Sequence, residues 1–243
     1  EMNDVLVIIP TYNEIENIDR IIRSIFGLYK DINILIVDDN SPDQTASKVI
    51  ELQATYKEKL YLQIRKVKSG LGPAYIHGFK WALNKNYNFI FEMDADFSHD
   101  PKDIEYLYNA CKNGGADVSI GSRYKEGINV VNWPVGRIIL SLFASYYVRF
   151  LTGMNIKDPT SGFICYKRSV IENINLDMVK FIGYAFQIEM KYKSYIKKYK
   201  LLEVPIVFTD REHGKSKLDA SIINEAVFGV ISMKIKSLFS RNF

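Results

Sequence analysis

Residues 5–39 read VLVIIPTYNEIENIDRIIRSIFGLYKDINILIVDD, and this stretch decides the fold. Val5–Ile9 is a short run rich in β-branched residues, which favours an extended strand, and Pro10 is expected to end it. Ile18, Ile21, Ile22 and Ile25 recur at helical spacing, so Ile18–Leu28 is expected to be a helix with one apolar face. Ile32–Val37 reads as a second strand, stopped by the turn-forming string Asp38-Asp39-Asn40-Ser41-Pro42. Strand, helix and strand in this order make a crossover unit joining parallel strands.

The rhythm continues outward from there. A helix capped by Ser41 or Asp43 runs to about Tyr56, and Leu60–Val67 is a third strand. Gly70-Leu71-Gly72-Pro73 opens a helix to Leu83, and Phe89–Met93 is a fourth strand ending at Asp94-Ala95-Asp96. Asp100-Pro101 caps a helix to Cys111, and Val118–Gly121 is a fifth strand. The second half is less regular. It holds an apolar helix over about 137–151, a helix near Ala185–Tyr199, a strand Leu202–Phe208 and a last amphipathic helix over about 221–239. The expected fold class is α/β, a mostly parallel sheet with helices on both faces, as one domain over 1–243. Ligands in such sheets sit at the carboxyl ends of the strands, where the polar clusters of this chain fall.

Composition narrows the function classes. The chain has 243 residues, 47% hydrophobic and 25% charged, ordinary for a globular protein. A net charge of +4 is too small an excess to argue for nucleic acid, while a local basic face toward anionic lipid is compatible with it. Cys111 and Cys165 have neither metal-ligand spacing nor disulfide density, so a reducing cytoplasmic setting is expected. No signal peptide is expected, because Val5–Ile9 runs straight into a polar loop. The longest apolar run, Ile138–Val148, falls short of the ~20 residues that span a bilayer, so contact with a membrane surface is expected to be peripheral.

Asp94-Ala95-Asp96 at a strand end is the central chemical observation. Residues i and i+2 of an extended segment face the same side, so the two carboxylates repel unless a cation lies between them. Hard oxygen ligands select Mg²⁺ or Mn²⁺, which also hold a diphosphate. The plain alternative is an exposed acidic turn. Asp38-Asp39 and the string Pro10-Thr11-Tyr12-Asn13-Glu14 bring further acids to the same rim, which is costly without a cationic ligand. His77, His99 and His213 are scattered and read as structural or surface residues.

The strings PTYNE (10–14), VDDNSPD (37–43), GLGPAY (70–75), MDADFSH (93–99), GSRY (121–124) and REHGKSK (211–217) together resemble the family 2 glycosyltransferases of GT-A fold. They are most similar to the dolichyl-phosphate (polyprenyl-phosphate) mannose synthases, from Val5 to about Lys217. The resemblance implies transfer of mannose from GDP-mannose to a polyprenyl phosphate. It implies that Pro10, Tyr12, Glu14, Val37 and Asp39 hold the guanosine. Asp94 and Asp96 would bind metal and diphosphate, with the Ala95 backbone close to the nucleotide. Where some relatives carry Gln as a third ligand, this chain has Ser98, acting through a bridging water. Arg211 and Lys217 would close over the diphosphate.

The acceptor phosphate is assigned to Arg123, after the fifth strand, and to Arg137 and Ser141 at the head of the apolar helix. Arg137, Ser141, Ser145 and Arg149 follow at spacings of four as one polar stripe. Such a helix is buried in protein or in lipid, and the resemblance favours an interfacial helix that guides the lipid phosphate. Asp96, Arg123 and Arg137 are the expected catalytic residues of a single inverting displacement. Membrane contact on the cytoplasmic face is peripheral or supplied by a membrane-protein partner. Two alternatives stand beside this reading: a UDP-sugar (glucose-type) transferase with the same acceptor, and a receiver-like domain using Asp38-Asp39.

Overall fold

The opening crossover unit forms as its pattern requires, with β1 (Val5–Thr11), α1 (Ile15–Leu28) and β2 (Asn33–Asp38). In the computed structural model, which describes residues 2–210 and 220–239, β1 and β2 pair in parallel. Pro10 does not break β1; the strand continues to Thr11, with Pro10 opposite Val37. The reason lies in the other neighbour. The carbonyl of Ile8 accepts from the amide of Met93, so the backbone of Pro10, two residues on, faces the same way but past the last paired residue on that side. A missing N–H costs nothing there.

The chain then runs through α2 (Thr45–Gln53), β3 (Leu60–Ile64), α3 (Leu71–Leu83), β4 (Phe89–Glu92), α4 (Ile104–Lys112) and β5 (Val118–Ser122). After these come β6 (Val130–Val131), α5 (Val135–Thr152), β7 (Ile164–Lys167), α6 (Arg168–Asn173), α7 (Ala185–Ile196), β8 (Leu201–Pro205), β9 (Phe208–Thr209) and α8 (Ala220–Phe239). One sheet has the order β3-β2-β1-β4-β7-β5-β8, and β6 with β9 makes a separate ribbon. Every pairing is parallel except those of β7, which runs antiparallel to both β4 and β5. Two expectations are corrected. β7 was not anticipated, and the single strand expected over Leu202–Phe208 is two, because the chain leaves the main sheet after Pro205 to pair Phe208 with Val130.

Strand alternation divides the core in two. Leu6, Ile8, Leu35 and Val37 face α3, α7 and α8, while Val5, Val7, Ile9, Ile34 and Ile36 face α1, α2 and α4. On α1 the isoleucines at 18, 21, 22 and 25 are all fully buried, each contributing roughly 1.5–3 kcal/mol of transfer free energy. Asp43 fastens this layer from above. Its Oδ1 accepts from the amide and hydroxyl of Thr45 at 3.0 and 2.6 Å, and its Oδ2 accepts from the Ile15 amide at 3.1 Å, so one carboxylate serves the starts of α1 and α2.

The helix after β6 is longer than its apolar run suggests. α5 spans 18 residues, and by length and composition it is the one helix among the described residues that reaches the minimum for crossing a membrane. Its inward side carries the polar line Arg137, Ser141, Ser145 and Arg149, with Val148 and Thr152 beside it; Ser145, Val148 and Thr152 are buried, as is the Nε of Arg149. Its outward stripe is Val135, Ile139, Phe143, Tyr146 and Phe150, of which Phe150 is 88% exposed. α8 packs beside it, the Tyr147 hydroxyl donating to the Val227 carbonyl at 2.7 Å, and presents Phe228, Ile235, Leu238 and Phe239 outward.

Candidate active site

The carboxyl ends of β1, β2, β4 and β5 meet at one rim, as parallel crossovers demand. Here the acids divide into two kinds. Asp38, fully buried, accepts from the Thr11 hydroxyl at 2.8 Å and from the amide and hydroxyl of Ser41 at 2.8 and 2.6 Å. It shapes the turn. Asp39 instead pairs with Arg65 at 3.3 Å; burial pushes its carboxyl above the ordinary range, partly offset by the Arg65 charge.

Around the expected guanosine site, Tyr12 is half-buried with the Lys68 ammonium 4.0 Å from its ring centroid. Glu14 Oε2 accepts from Asn17 at 3.0 Å. Val37 carries its side chain fully into the core, so that side chain is out of a ligand's reach. Ala95 is likewise buried. Arg211 and Lys217 lie outside the described residues, as does His213.

Asp94 and Asp96 follow β4 and line a cavity of about 440 Å³. Asp96 Oδ1 accepts from the Ser98 amide at 3.1 Å, which aims the carboxylate, and Ser98 Oγ is buried without a partner among the described residues. No group of three or more Asp, Glu, His or Cys is placed to hold a metal ion among the described residues. A lone carboxylate pair suits a hard divalent ion that completes its shell with substrate phosphate and water. His99 also lines the cavity but is fully buried, stacked on Phe163 at 4.9 Å, and burial lowers it to about 4. It is neutral near pH 7, in keeping with a structural residue.

Arg123, Arg137 and Ser141 line the same cavity, so the structure brings together the acid pair and all three expected acceptor residues. Arg123 is buried, and its fork is already engaged. Nε and Nη2 donate to Asp158 at 2.7 and 2.6 Å, and Nη2 donates to the Thr160 hydroxyl at 2.7 Å. Arg137 is more open, donating to Asp210 at 3.0 Å. Ser141 Oγ accepts from the Tyr124 hydroxyl at 2.7 Å. Leu140, Phe143, Ala144, Tyr147 and Val148 of α5 make an apolar wall on one side.

Sequence reasoning missed a buried polar layer beneath the cavity. Gln187 of α7 donates to Glu92 of β4, and Lys191 donates to the Ser161 carbonyl at 2.6 Å. Burial pushes Glu92 up to about 7 and pulls Lys191 down to about 8. Gln187 and Lys191 lie one turn apart on one face of a helix whose polar and apolar residues show no clean period. Asp158, Gln187 and Trp133 carried no motif, so only the fold assembles them.

Comparison with known proteins accords with this geometry. The model of glycosyl transferase family 2 matches residues 6–174. The chain is 43% identical over 236 residues to a polyprenol monophosphomannose synthase of Mycolicibacterium smegmatis, covering 97% of this chain and 89% of that one. It is 39% identical to an undecaprenyl-phosphate mannosyltransferase of Micrococcus luteus, covering 93% and 92%. Among solved structures, glucosyl-3-phosphoglycerate synthase from Mycobacterium tuberculosis, in complex with Mn²⁺, UDP-glucose and phosphoglyceric acid, superposes with a TM-score of 0.70. At 17% identity, covering 95% of this chain and 79% of that one, it shares the fold.

Proposed function

This chain belongs to glycosyl transferase family 2, and we propose that it transfers mannose from GDP-mannose to a polyprenyl phosphate. The observation that carries the reading is the cavity itself, in which Asp94 and Asp96, Arg123 and Arg137, and the apolar wall of α5 share one space. Those three chemistries match a nucleotide diphosphate, an acceptor phosphate and an isoprenoid chain. The names of the relatives from Mycolicibacterium smegmatis and Micrococcus luteus support the same acceptor class.

Asp94 and Asp96 would hold Mg²⁺ or Mn²⁺, which offsets charge on the leaving diphosphate when bound. The protein's own work is to bring two anions together. A lipid phosphate is already anionic near neutral pH, so no strong general base is needed. Arg123, immobilised by Asp158, presents a fixed positive charge and costs no reorganisation when the acceptor arrives. Arg137 exchanges its carboxylate partner Asp210 for phosphate, drawing the acceptor in line with the anomeric carbon. One displacement gives the inverted, β-linked product. Arg211 and Lys217 close over the diphosphate in this scheme.

The outward stripes of α5 and α8 fit a peripheral role at a lipid surface, where the acceptor resides, on the cytoplasmic face. Competition for bound labelled GDP-mannose tests the donor. Unlabelled GDP-mannose displaces it, and UDP-glucose in excess should leave the label bound. No specific binding of labelled GDP-mannose, with labelled UDP-glucose bound in its place, assigns the chain to a glucose-type transferase.

A further inference from the structure

Trp133 has no part in the scheme above, yet its ring lies close to both arginines that the scheme uses. The Arg137 guanidinium carbon lies 4.0 Å from its ring centroid, and that of Arg123 lies 5.5 Å away. Phe208 of β9 meets the same ring edge-on, with centroids 5.3 Å apart and planes at 75°. The ring is thus held by the β6–β9 ribbon, just ahead of α5. Its indole Nε1–H is buried with no hydrogen-bond partner among the described residues, and Trp133 lines the cavity.

The two arginines are secured very differently. Arg123 is fixed by hydrogen bonds to Asp158 and Thr160. Arg137 has one carboxylate, Asp210, and the face of Trp133. An acceptor phosphate that takes the place of Asp210 leaves the indole face as what holds the guanidinium against the cavity wall. A π face attracts a cation lying over it, and of the two guanidinium groups that of Arg137 is the nearer.

Resting on the acceptor reading above, we propose that Trp133 is the positioning residue of the acceptor-phosphate site. Its ring face keeps Arg137 in place through the exchange of Asp210 for phosphate. The function is binding and alignment of an isoprenyl phosphate, with no contact to the nucleotide.

Steady-state transfer by Trp133→Leu and Trp133→Phe, with each substrate varied in turn, tests this. Trp133→Leu is expected to raise KM for the isoprenyl phosphate about tenfold while KM for the donor stays within about twofold, and Trp133→Phe to recover much of the loss. The chain has two tryptophans, so a Trp81→Phe protein reports Trp133 emission alone. Farnesyl phosphate should shift that emission and farnesol should not. Equal rises in both KM values, no rise in either, or emission blind to farnesyl phosphate would overturn the proposal. Wild-type turnover keeps the two readings apart. If another nucleotide sugar proves to be the donor, the acceptor KM split is measured with that donor and still decides the role of Trp133. If wild type transfers to no isoprenyl phosphate, the acceptor reading itself falls, and the Trp133 proposal with it.

Discussion

Arg123 donates from Nε and Nη2 to the two oxygens of Asp158, at 2.7 and 2.6 Å, and both residues are buried. A fork used in this way is a fixed charge at the edge of the cavity rather than a mobile one. Removing the carboxylate strands a buried cation, so Asp158→Ala should destabilise the fold by about 3–5 kcal/mol in urea unfolding.

The same pair sets an acid limit. Burial alone would raise Asp158, but the charge and hydrogen bonds of Arg123 override it and hold the carboxyl below its ordinary value. A depressed carboxylate contributes stability that is present above its unfolded value and lost as pH falls through its folded value. Wild type should therefore lose more stability than Asp158→Asn as pH is taken below about 4, measured as urea midpoints. Parallel curves would remove Asp158 from the acid response.

Glu92 works in the opposite sense. Burial raises it to about 7, with Gln187, Lys191 and Tyr166 pulling it back down. The folded state then binds a proton that the unfolded chain, with its value near ~4.3, has released. This group favours folding most at low pH, and that contribution is lost as pH rises toward its folded value. Glu92→Gln carries no such charge. Relative to wild type, the variant should gain stability between about pH 5 and pH 7.5, and a constant difference would contradict the burial argument.

Val135, Ile139, Phe143, Tyr146 and Phe150 of α5, with Phe228 and Leu238 of α8, form outward apolar stripes. Phe150→Asp combined with Phe228→Asp should weaken sedimentation with anionic vesicles by about tenfold or more. Transfer to a short isoprenyl phosphate in detergent should survive, since neither residue lines the cavity. Unchanged vesicle binding would move the membrane contact elsewhere.

The crossover units and the acid-bearing strand ends were legible because β-branched runs, helical spacing and turn formers are local signals. β7 was not legible. It is a four-residue strand whose partners, Phe89–Glu92 and Val118–Ile120, lie far away in sequence, so nothing local marks its antiparallel insertion. The partner of Arg123 escaped for the same reason, since Asp158 sits 35 residues on, in a loop without period. The polar stripe on α5 was legible as a spacing of four, and Val148 and Thr152 pack inward beside its last member, Arg149, whose Nε is buried. Pro10 showed how the rule against proline in strands yields where a neighbouring strand has already ended.

The most direct test is transfer of labelled mannose from GDP-mannose to a polyprenyl phosphate in detergent, with and without divalent metal, beside Asp96→Asn. The account predicts a labelled β-linked lipid that needs Mg²⁺ or Mn²⁺ and falls by about a hundredfold or more in the variant. Transfer that persists in a chelator and in Asp96→Asn, or an α-linked product, would contradict it.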